Sequence, residues 1–399
     1  MNKALKSLRG ISDRLLKVTE LGLKRYLFDE MDFDVRLIIV KGCRGVGKTT
    51  LLKQYVKGLD PANVIYLSLD HFLFASHRMY EVVEAFYDAG VRYVVLDEVH
   101  KYDDWSIELK NLYDSFPDLN ILATSSSALK IMKGSADLSR RADVYDLPGL
   151  SFREFLDFEY GLKIAPLALD DILTHHMDIA DDLLAKSVDL RKFKRYLKGG
   201  YYPFFKETGY RYHDRVNEVV NQVLEVDLPS IFNIDYSTVR QIKKLLSIIS
   251  TVAPFTPAIS TLARDVGVGR DRILLLLDYL HGAGIIHLLK SHKRSDSVMT
   301  KPEKVFLENS NIMHSIGLID PALGSIRETF VMNALSVKNT VSTPAKGDFL
   351  VDQKYTFEVG GPKKSFHQIS DMPNAFLIKD GIKNGAKDVV PIWLLGFLY

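Results

Sequence analysis

A glycine-rich segment near the start of the chain carries the residue types that bind phosphate. GCRGVGKT follows an apolar run, RLIIV, and precedes the helix-forming stretch TLLKQYVKGL. This order fits the strand, GxxxxGK[ST], helix pattern, in which main-chain N–H groups and a helix N-terminus approach phosphate oxygens. Lys48 would reach the β- and γ-phosphates, and the Thr49 hydroxyl would ligate Mg²⁺. The predicted nucleotide-binding residues are Gly42, Cys43, Arg44, Gly45, Val46, Gly47, Lys48, Thr49 and Thr50.

A second apolar run, RYVVL, is followed directly by two adjacent acids, Asp97 and Glu98. Asp97 would help to hold Mg²⁺, and Glu98 is placed to orient and deprotonate the water that attacks the γ-phosphate. Two acids at a strand end are often only solvated loop residues, so this interpretation depends on the upstream loop. Together the two segments predict a catalytic site in which Lys48 and Glu98 act on ATP with Mg²⁺ as cofactor.

Polar residues in two further segments could complete such a site. NILATSSS ends in hydroxyl side chains, and Ser125 or Ser126 is a weaker candidate for contact with the γ-phosphate or the attacking water. Hydroxyls at a strand end also cap the next helix, here SALKIM. Downstream, Arg140 and Arg141 could stabilise transition-state charge, in the same chain or from a neighbouring subunit, although paired arginines commonly form surface ion pairs.

The apolar runs that precede these residues read as parallel strands joined by helices. VIYLSLD, between the glycine-rich segment and the two acids, reads as another strand. A βαβ series predicts an α/β fold with a doubly wound parallel sheet, whose ligand lies at the carboxyl ends of the strands.

The successive segments resemble a family of bacterial and archaeal AAA-type P-loop ATPases, of the AAA+ superfamily, in which an AAA core is joined to a C-terminal uncharacterised domain. GCRGVGKTTLL, VVLDEVHKYDDW, ILATSSSALKI, LSRRADVYDLPGLSFREF and KRYLKGGYYPFF occur in the family's order. The resemblance implies an ATP-binding core with a Mg²⁺ site, and it makes Arg141 the preferred arginine finger. The family usually has Gln where this chain has Gly45, which leaves every phosphate-binding role filled.

Composition limits the class of protein. The 399 residues are 47% hydrophobic and 26% charged, which excludes a disordered or collagen-like chain and suggests two to four domains. The formal charge of +2 gives no overall basic excess. One cysteine, the lack of a signal-like N-terminus and the shortness of the longest apolar run, VVPIWLLGFLY, favour a cytoplasmic protein outside the membrane.

The rest of the chain divides by pattern into three parts. We expect an ATPase core over residues 1–155, a helical region over 156–238, a winged-helix-like region over 239–295 and a nuclease-like region over 296–399. Phe152, Phe155, Leu156 and Tyr160 fall at helical spacing and are expected to pack as a core stripe, and burial is the favoured reading of the GGYYPFF aromatics, with a substrate platform as the alternative. From Arg240 to Arg294 there are nine Lys or Arg and three Asp, which favours nucleic acid. Against it, the third helix, RILLLLDYL, is apolar nearly all round, so a purely structural module is an equal alternative.

The last hundred residues resemble the PD-(D/E)xK nuclease fold, which gathers acids around Mg²⁺. Its acids would be Glu328, Asp348 and Glu358. The pattern requires Lys two positions after Glu358, where this chain has Gly360, although Lys363 or Lys364 could reach in. The missing lysine favours a nuclease-like fold that has lost its chemistry.

These observations lead to one main functional hypothesis and an alternative. The main one is Mg²⁺-dependent ATP hydrolysis that moves the core relative to the winged-helix and nuclease-like parts. The alternative is a nucleotide-gated, DNA-binding regulatory module with little hydrolysis, and an active nuclease is a third reading. ATP and ADP are the expected ligands, DNA and an unidentified protein are possible partners, and both a monomer and an oligomer remain open.

Overall fold

The computed structural model describes residues 3–20, 22–126, 138, 140–291, 301–317 and 320–399. The helices, in chain order, are α1 Lys3–Lys17, α2 Leu27–Glu30, α3 Lys48–Val56, α4 Met79–Asp88, α5 Trp105–Ser115, α6 Phe152–Tyr160, α7 Leu169–Ala185, α8 Leu190–Gly199, α9 Phe205–Thr208, α10 Tyr212–Gln222, α11 Leu228–Phe232, α12 Tyr236–Val252, α13 Ile259–Val266, α14 Arg270–Gly282, α15 Ser310–Ile316 and α16 Leu323–Ser336.

The strands form three sheets. In chain order they are β1 Leu37–Lys41, β2 Val64–Ser68, β3 Tyr93–Asp97, β4 Asn120–Ser125, β5 Asp143–Asp146, β6 Ile286–Leu289, β7 Lys304–Leu307, β8 Val341–Ser342, β9 Phe349–Val351, β10 Tyr355–Gly360, β11 Ala375–Lys379 and β12 Val389–Pro391. The sheet orders are β2-β3-β4-β1-β5, β12-β11-β10-β9-β8 and β6-β7.

The chain divides into two compact units. The first comprises residues 1–148 and 227–233, and the second comprises 149–226 and 234–399. The segment 227–233, which the sequence pattern placed in the helical region, therefore belongs to the first unit. The finer boundaries inside the second unit stay predictions.

The first unit is built on a parallel five-stranded sheet, which confirms the predicted α/β fold. Strands β1 to β4 are short apolar runs whose residues are almost all buried, as expected of a sheet covered on both faces. Strand β4 lies between β1 and β3, with Leu37 opposite Ile121 and Leu96 opposite Ala123. The carboxyl end of β4 therefore lies between the ends of the other two strands.

The amphipathic N-terminal segment forms α1 and packs on this unit. Leu8 is buried in the same apolar cluster as the sheet residues, and the buried Ser12 hydroxyl accepts a hydrogen bond from the Tyr66 amide at 2.9 Å. Within the part of the chain that is described, no helix has the length and apolar character needed to cross a membrane.

Aromatic side chains form much of the core of the second unit. Phe152, Phe155 and Leu156 are buried, whereas Tyr160 at the end of the same predicted stripe is partly exposed. The GGYYPFF segment is also buried, and its Tyr201 hydroxyl donates to Glu308 at 2.6 Å within the same unit. The predicted burial is confirmed for Phe152 and Phe155 and is wrong for Tyr160, which lies at the exposed end of its helix.

Three helices and an antiparallel strand pair follow in the second unit. Helices α12 to α14 lead into β6, which pairs with β7 so that Ile286 lies opposite Leu307. Four residues of α14 are buried: Ile273, Leu276, Leu277 and Leu280. This burial agrees with its apolar sequence. Assignment of the region as a winged helix stays a prediction.

The C-terminal sheet is mixed. Strand β10 pairs antiparallel with β9 and parallel with β11, and every residue of β10 is buried. A buried strand flanked on both sides explains why YTFEVG is apolar apart from Glu358 and Thr356. Assignment of this sheet to a nuclease-like fold also stays a prediction.

Candidate functional site

The loop after β1 adopts backbone conformations that favour glycine at three positions, Gly42, Gly45 and Gly47. Gly42 has φ +155°, and a Cβ atom there would lie 2.2 Å from the carbonyl oxygen of Leu147. Gly47 has φ +99° immediately before α3 begins at Lys48. The glycines thus allow the chain to turn tightly, so that loop N–H groups and the N-terminus of α3 can face one phosphate, as a phosphate-binding loop requires.

The Lys48 side chain lies over this loop. Its Nζ atom donates to the carbonyl oxygens of Gly42 at 2.8 Å and Cys43 at 3.0 Å, and the residue is only 4% exposed. Burial lowers the pKa of Lys48, and the nearby Glu98 carboxylate opposes that shift. An ammonium group held at this position can interact strongly with a phosphate because water screens it little.

A buried arginine braces the same loop. Arg25 donates through its guanidinium to the carbonyl oxygens of Val46 and Pro148, the latter at 2.8 Å. Arg25 lies outside the loop motif, so no local sequence pattern points to it. Of the other predicted loop residues, Val46 is buried, Thr50 is exposed, and Cys43 is a free thiol of intermediate exposure.

The Thr49 hydroxyl and the Asp97 carboxylate meet, as the sequence pattern predicted. Thr49 Oγ1 donates to Asp97 Oδ1 at 2.8 Å, and the Tyr66 hydroxyl donates to Asp97 Oδ2 at 2.6 Å. Thr124, at the end of β4, donates to the same Oδ1 atom. Because Asp97 is buried and accepts hydrogen bonds from three hydroxyl groups, its carboxylate is held in place at the carboxyl end of β3.

The Thr49 and Asp97 oxygens suit Mg²⁺, which prefers hard oxygen ligands and commonly takes only one or two from protein. The described residues contain no group of three or more His, Cys, Asp or Glu side chains that could hold a metal. The donor set therefore fits an ion that completes its coordination with phosphate oxygens and water.

Glu98 lies one residue beyond Asp97 in an uncommon backbone conformation. Its φ of 57° is left-handed, and its amide donates to Thr124 Oγ1 at 3.0 Å. Its Oε2 atom lies 3.3 Å from Ser126 Oγ and 3.2 Å from His100 Nε2. Burial raises the pKa of Glu98, while the positive charges of Lys48 and Arg44 lower it. These contacts hold the carboxylate beside the loop that carries Lys48.

His100 is part of this cluster, although no sequence motif includes it. The ring is completely buried, and its Nε2 atom lies 2.8 Å from Ser126 Oγ. A lone histidine after an acidic pair gives no sequence signal of its own. Of the two weaker candidates, Ser126 contacts Glu98, and Ser125 is buried at the end of β4. Thr124, which was not a candidate, contacts both acids, and the SALKIM segment lies outside the described residues.

A buried acid from far along the chain completes the surroundings. Asp227 is 3% exposed, accepts a hydrogen bond from Lys101 Nζ at 2.6 Å, and lies 3.8 Å from the Arg44 guanidinium. Arg44 belongs to the phosphate-binding loop and Lys101 follows Glu98 by three residues. Asp227 thus links both halves of the site, which local sequence patterns could not predict.

The arginine pair lies on the same unit. Arg141 forms a two-point ion pair with Asp114, with Nε and a terminal nitrogen 2.9 and 3.0 Å from the two carboxylate oxygens. Arg140 is exposed. The described contact of Arg141 is with α5, so its role as an arginine finger stays a prediction.

The three acids of the C-terminal pattern also come together, within the second unit. Lys304 forms ion pairs with Glu328 and Asp348, and Lys364 forms one with Glu358. Burial raises the pKa of Glu328 and of Glu358, and the paired lysines oppose both shifts.

Comparisons with known proteins agree with the first unit's geometry. Residues 34–156 match the family model of the AAA domain. Over 366 residues the chain is 27% identical to the uncharacterized protein MJ1637 of Methanocaldococcus jannaschii, a match that covers 84% of this chain and 77% of that protein. The domain match supports an ATP-binding, AAA-type P-loop core.

Likenesses to solved structures are weak. AMPPCP-bound DnaA from Aquifex aeolicus is 16% identical with a TM-score of 0.28, covering 67% of this chain and 86% of that chain. A DNA replication initiation factor is 14% identical with a TM-score of 0.28, covering 68% of this chain and 90% of that chain. PCH-2 of C. elegans is 17% identical with a TM-score of 0.24, covering 65% of this chain and 66% of that chain. Scores this low carry no argument about function.

Proposed function

We propose that the first unit binds ATP with Mg²⁺ and hydrolyses it. The observation that carries the proposal is the hydrogen bond of 2.8 Å between Thr49 and Asp97, which joins the phosphate-binding loop to the acidic strand end. That contact brings a hydroxyl, a carboxylate and the Lys48 ammonium to one end of a parallel sheet, where ligands of such sheets bind.

Each residue of the site has a distinct task in this reaction. The loop N–H groups and Lys48 bind the β- and γ-phosphates, and Glu98 orients a water molecule toward the γ-phosphorus. Mg²⁺ held by Thr49 and Asp97 would neutralise negative charge on the phosphate oxygens. The water oxygen bonds to phosphorus, the bond to the ADP oxygen breaks, and Glu98 accepts the proton of the water.

The surroundings of Glu98 suit it to that proton transfer. A carboxylate whose pKa is raised by burial is a stronger base than an exposed one, and the direction of the shift at Glu98 is upward. Its contacts with Ser126 and His100 restrict where the carboxylate can point. Loss of γ-phosphate contacts after hydrolysis would release Asp97 and Glu98, which provides a route from turnover to conformational change.

Two substitutions test the assignment. Lys48→Ala is expected to lose ATP binding, measured by calorimetry with magnesium nucleotide. Glu98→Gln is expected to keep ATP bound and to lower turnover by at least ~100-fold. Lys6→Ala and Glu81→Gln, at exposed positions, serve as matched controls and should leave both quantities unchanged. Turnover that is unaffected by both site substitutions would overturn the assignment.

A second candidate is a nucleotide-gated DNA-binding module with little hydrolysis. It is favoured by the basic stretch over 240–294, in which Arg240 and Lys244 line one pocket of the second unit. We expect DNA affinity to fall steeply with salt, and Arg240→Ala with Lys244→Ala to reduce that dependence. Lys243→Ala is the control, because Lys243 is paired with Glu225. DNA affinity that is the same with and without ATP would argue against this candidate.

A further inference from the structure

Three helices of the second unit meet at one buried asparagine. Asn311 in α15 donates to the carbonyl oxygen of Leu197 in α8 at 2.9 Å, and it accepts a hydrogen bond from the Tyr212 hydroxyl at the start of α10. Asn311 is 1% exposed, so water competes little for these bonds. The backbones of the three helices are therefore held together at this point.

Each of these helices carries, close to the junction, one side chain that can be positively charged. They are Lys198 on α8, His213 on α10 and His314 on α15. Lys198 and His213 directly follow the two residues that bond to Asn311, and His314 lies one helical turn beyond it. The ring centroids of the two histidines are 6.2 Å apart, and both rings are half-buried. The fold thus brings three possible hydrogen-bond donors to one end of α8.

Ser315 fixes which nitrogen of His213 takes up a proton. The serine hydroxyl donates to the carbonyl oxygen of Asn311 at 2.7 Å, one turn earlier in α15. The contact of 2.9 Å between Ser315 Oγ and His213 Nδ1 is then a hydrogen bond in which the ring donates. Neutral His213 therefore carries its hydrogen on Nδ1, and protonation adds a donor at Nε2. None of the described residues bonds to Nε2, so this donor can serve a ligand.

The two rings and the lysine repel one another when all are charged. Burial, followed by the Lys198 charge, lowers the pKa of His213, and burial, His213 and Lys198 lower the pKa of His314. The acids that act on the rings are Asp214 on α10 and Asp320 after α15, and both are exposed. Water screens exposed acids, so they offset little of the repulsion. An anion bound between the three groups would offset it and favour the protonated rings.

The surroundings add further positive charge. Between positions 190 and 215 the sequence has eight Lys or Arg and two Asp or Glu. Three of the five basic residues of α8 pair with acids, whereas Lys194 and Lys198 form no ion pair with a described residue. These two lysines are four positions apart and so lie on one face of the helix. An excess of positive charge raises the local concentration of anions.

A doubly charged phosphate group suits these side chains better than a phosphodiester or a metal ion. Free phosphate or a phosphate monoester carries about two negative charges and offers an acceptor oxygen to each donor. A phosphodiester carries only one negative charge. The Lys198 ammonium repels a metal ion, and the described residues hold no group of three or more His, Cys, Asp or Glu side chains that could bind one.

We propose that Lys198, His213 and His314 bind a doubly charged phosphate group, either free phosphate or the terminal phosphate of a monoester. The Lys198 ammonium and the Nε2–H of protonated His213 donate to two phosphate oxygens, and protonated His314 donates to a third. The site lies in the second unit and does not depend on ATP hydrolysis in the first.

Binding is tested by titrating inorganic phosphate into the full chain and following the ring Cε1–H signals of its histidines by NMR. The chain carries Lys48→Ala, so that the ATP site does not compete for phosphate. The signals of His213 and His314 should shift together and saturate, whereas those of His175 and His367, which are exposed in the same unit, should stay in place. Each signal is assigned by its loss when that histidine is replaced with Gln. The absence of a saturable shift at the two cluster histidines would overturn the site.

Substitution of the lysine tests its part in binding. Lys198→Ala is expected to weaken phosphate binding about tenfold, because it removes a charged donor. Lys198→Arg keeps such a donor and should restore most of that loss. Lys163→Ala is the control, because that lysine is exposed in the same unit, and circular dichroism checks that each variant is folded. Equal phosphate affinity in the wild type and in Lys198→Ala would contradict the assignment of the lysine.

The protonated rings are tested with sulfate, which stays doubly charged over the whole pH range used. Sulfate affinity should rise about tenfold between about pH 8 and about pH 5.5, because the bound anion favours the charged rings. The double variant His213→Gln with His314→Gln should lose this rise. A rise of the same size in the wild type and in the double variant would overturn the role of the histidines.

Two further probes distinguish the source of the phosphate group. Glycerol 3-phosphate is a monoester, and dimethyl phosphate is a diester with a single charge. Tighter binding of glycerol 3-phosphate than of inorganic phosphate would identify a monoester as the ligand, and the reverse order would identify free phosphate. Dimethyl phosphate should bind at least ~tenfold more weakly than either. Equal affinity for all three probes would overturn the requirement for two charges.

Discussion

Lys101, three residues beyond Glu98, donates a hydrogen bond of 2.6 Å to Asp227, which lies 126 positions further along the chain. Asp227 is also 3.8 Å from Arg44 in the phosphate-binding loop. One buried carboxylate therefore pairs with a cation from each side of the ATP site. Its loss should affect both the stability of the first unit and the charge around Glu98.

We expect Asp227→Ala to lower the free energy of unfolding by about 2–3 kcal/mol, because it leaves the mostly buried Lys101 ammonium without its carboxylate. Urea denaturation provides the measurement. Lys186→Ala breaks an exposed ion pair with Asp182 and should cost less than about 0.5 kcal/mol. Equal effects of the two substitutions would show that the Asp227 pair is no stronger than a surface pair.

The pH dependence of ATP turnover should report the carboxyl of Glu98. Glu98 accepts a proton only when it is ionised, and burial raises its pKa, so turnover should fall on acidification at a higher pH than an ordinary carboxyl would give. Arg44 lowers this pKa and Asp227 raises it. Arg44→Ala should therefore move the acid limb of kcat to higher pH.

Asp227→Asn should move the same limb to lower pH. The opposite signs of the two shifts are the internal control, because a general loss of structure would not move the limb in two directions. Profiles of kcat against pH at saturating ATP provide the measurement. An acid limb that stays in place in both variants would mean that Glu98 is not the titrating base.

Stability of the second unit should depend on the protonation of Glu308. Burial raises its pKa to about 7, and it is hydrogen-bonded by Tyr201 and Asn333. The folded chain thus holds a proton that the unfolded chain, with a pKa of 4.5, has released. This contribution to stability is complete below pH 4.5 and is lost as the pH rises through 7.

We expect Glu308→Gln to remove that loss, so that the wild type loses about 3 kcal/mol relative to the variant between pH 4.5 and 8. His287 lies 4.0 Å from Glu308, and burial lowers its pKa to about 3, which makes stability rise with pH up to 6.5 in both proteins. Comparing the two proteins by urea denaturation cancels this term. If the free energy of unfolding changed with pH in the same way in both proteins, Glu308 would not be the group that titrates.

Gly42 should tolerate no side chain. Gly42→Ala would place Cβ 2.2 Å from the Leu147 carbonyl oxygen at a positive φ, so we expect a loss of about 1–3 kcal/mol in stability and weaker ATP binding. Thermal denaturation and nucleotide calorimetry measure the two effects. Gly22→Ala is the control, because no atom of the described residues comes within 4 Å of a Cβ added there.

The part of the ATP site that sequence could predict is the part encoded locally. Lys48 and Thr49 follow their glycines within one loop, and Asp97 ends an apolar strand, so spacing alone identified them. The parallel sheet followed from the alternation of strands and helices. Arg25 and His100 belong to no local sequence pattern, and only their contacts in the folded structure place them at the site.

The residues that local sequence patterns could not place depend on contacts between distant parts of the chain. Asp227 sits in a stretch whose sequence is simply helical, and only tertiary structure brings it to Arg44. In the C-terminal sheet, the sequence pattern requires a lysine two positions after Glu358, at position 360. In the structure, Lys364 from the following loop fills the space of a side chain at position 360 and pairs with Glu358. Pattern matching assumes one backbone path, and a loop can supply the same group by another.

The division of the first unit between residues 1–148 and 227–233 has a practical consequence for cutting the chain. A fragment that stops near position 150 keeps every motif residue of the ATP site but lacks Asp227. Lys101 would then lose its hydrogen bond to that carboxylate. ATP binding or turnover measured on such a fragment would describe a site that lacks the Asp227 ion pairs. An autonomous version of this unit needs the downstream piece supplied, for example spliced on by a short artificial linker.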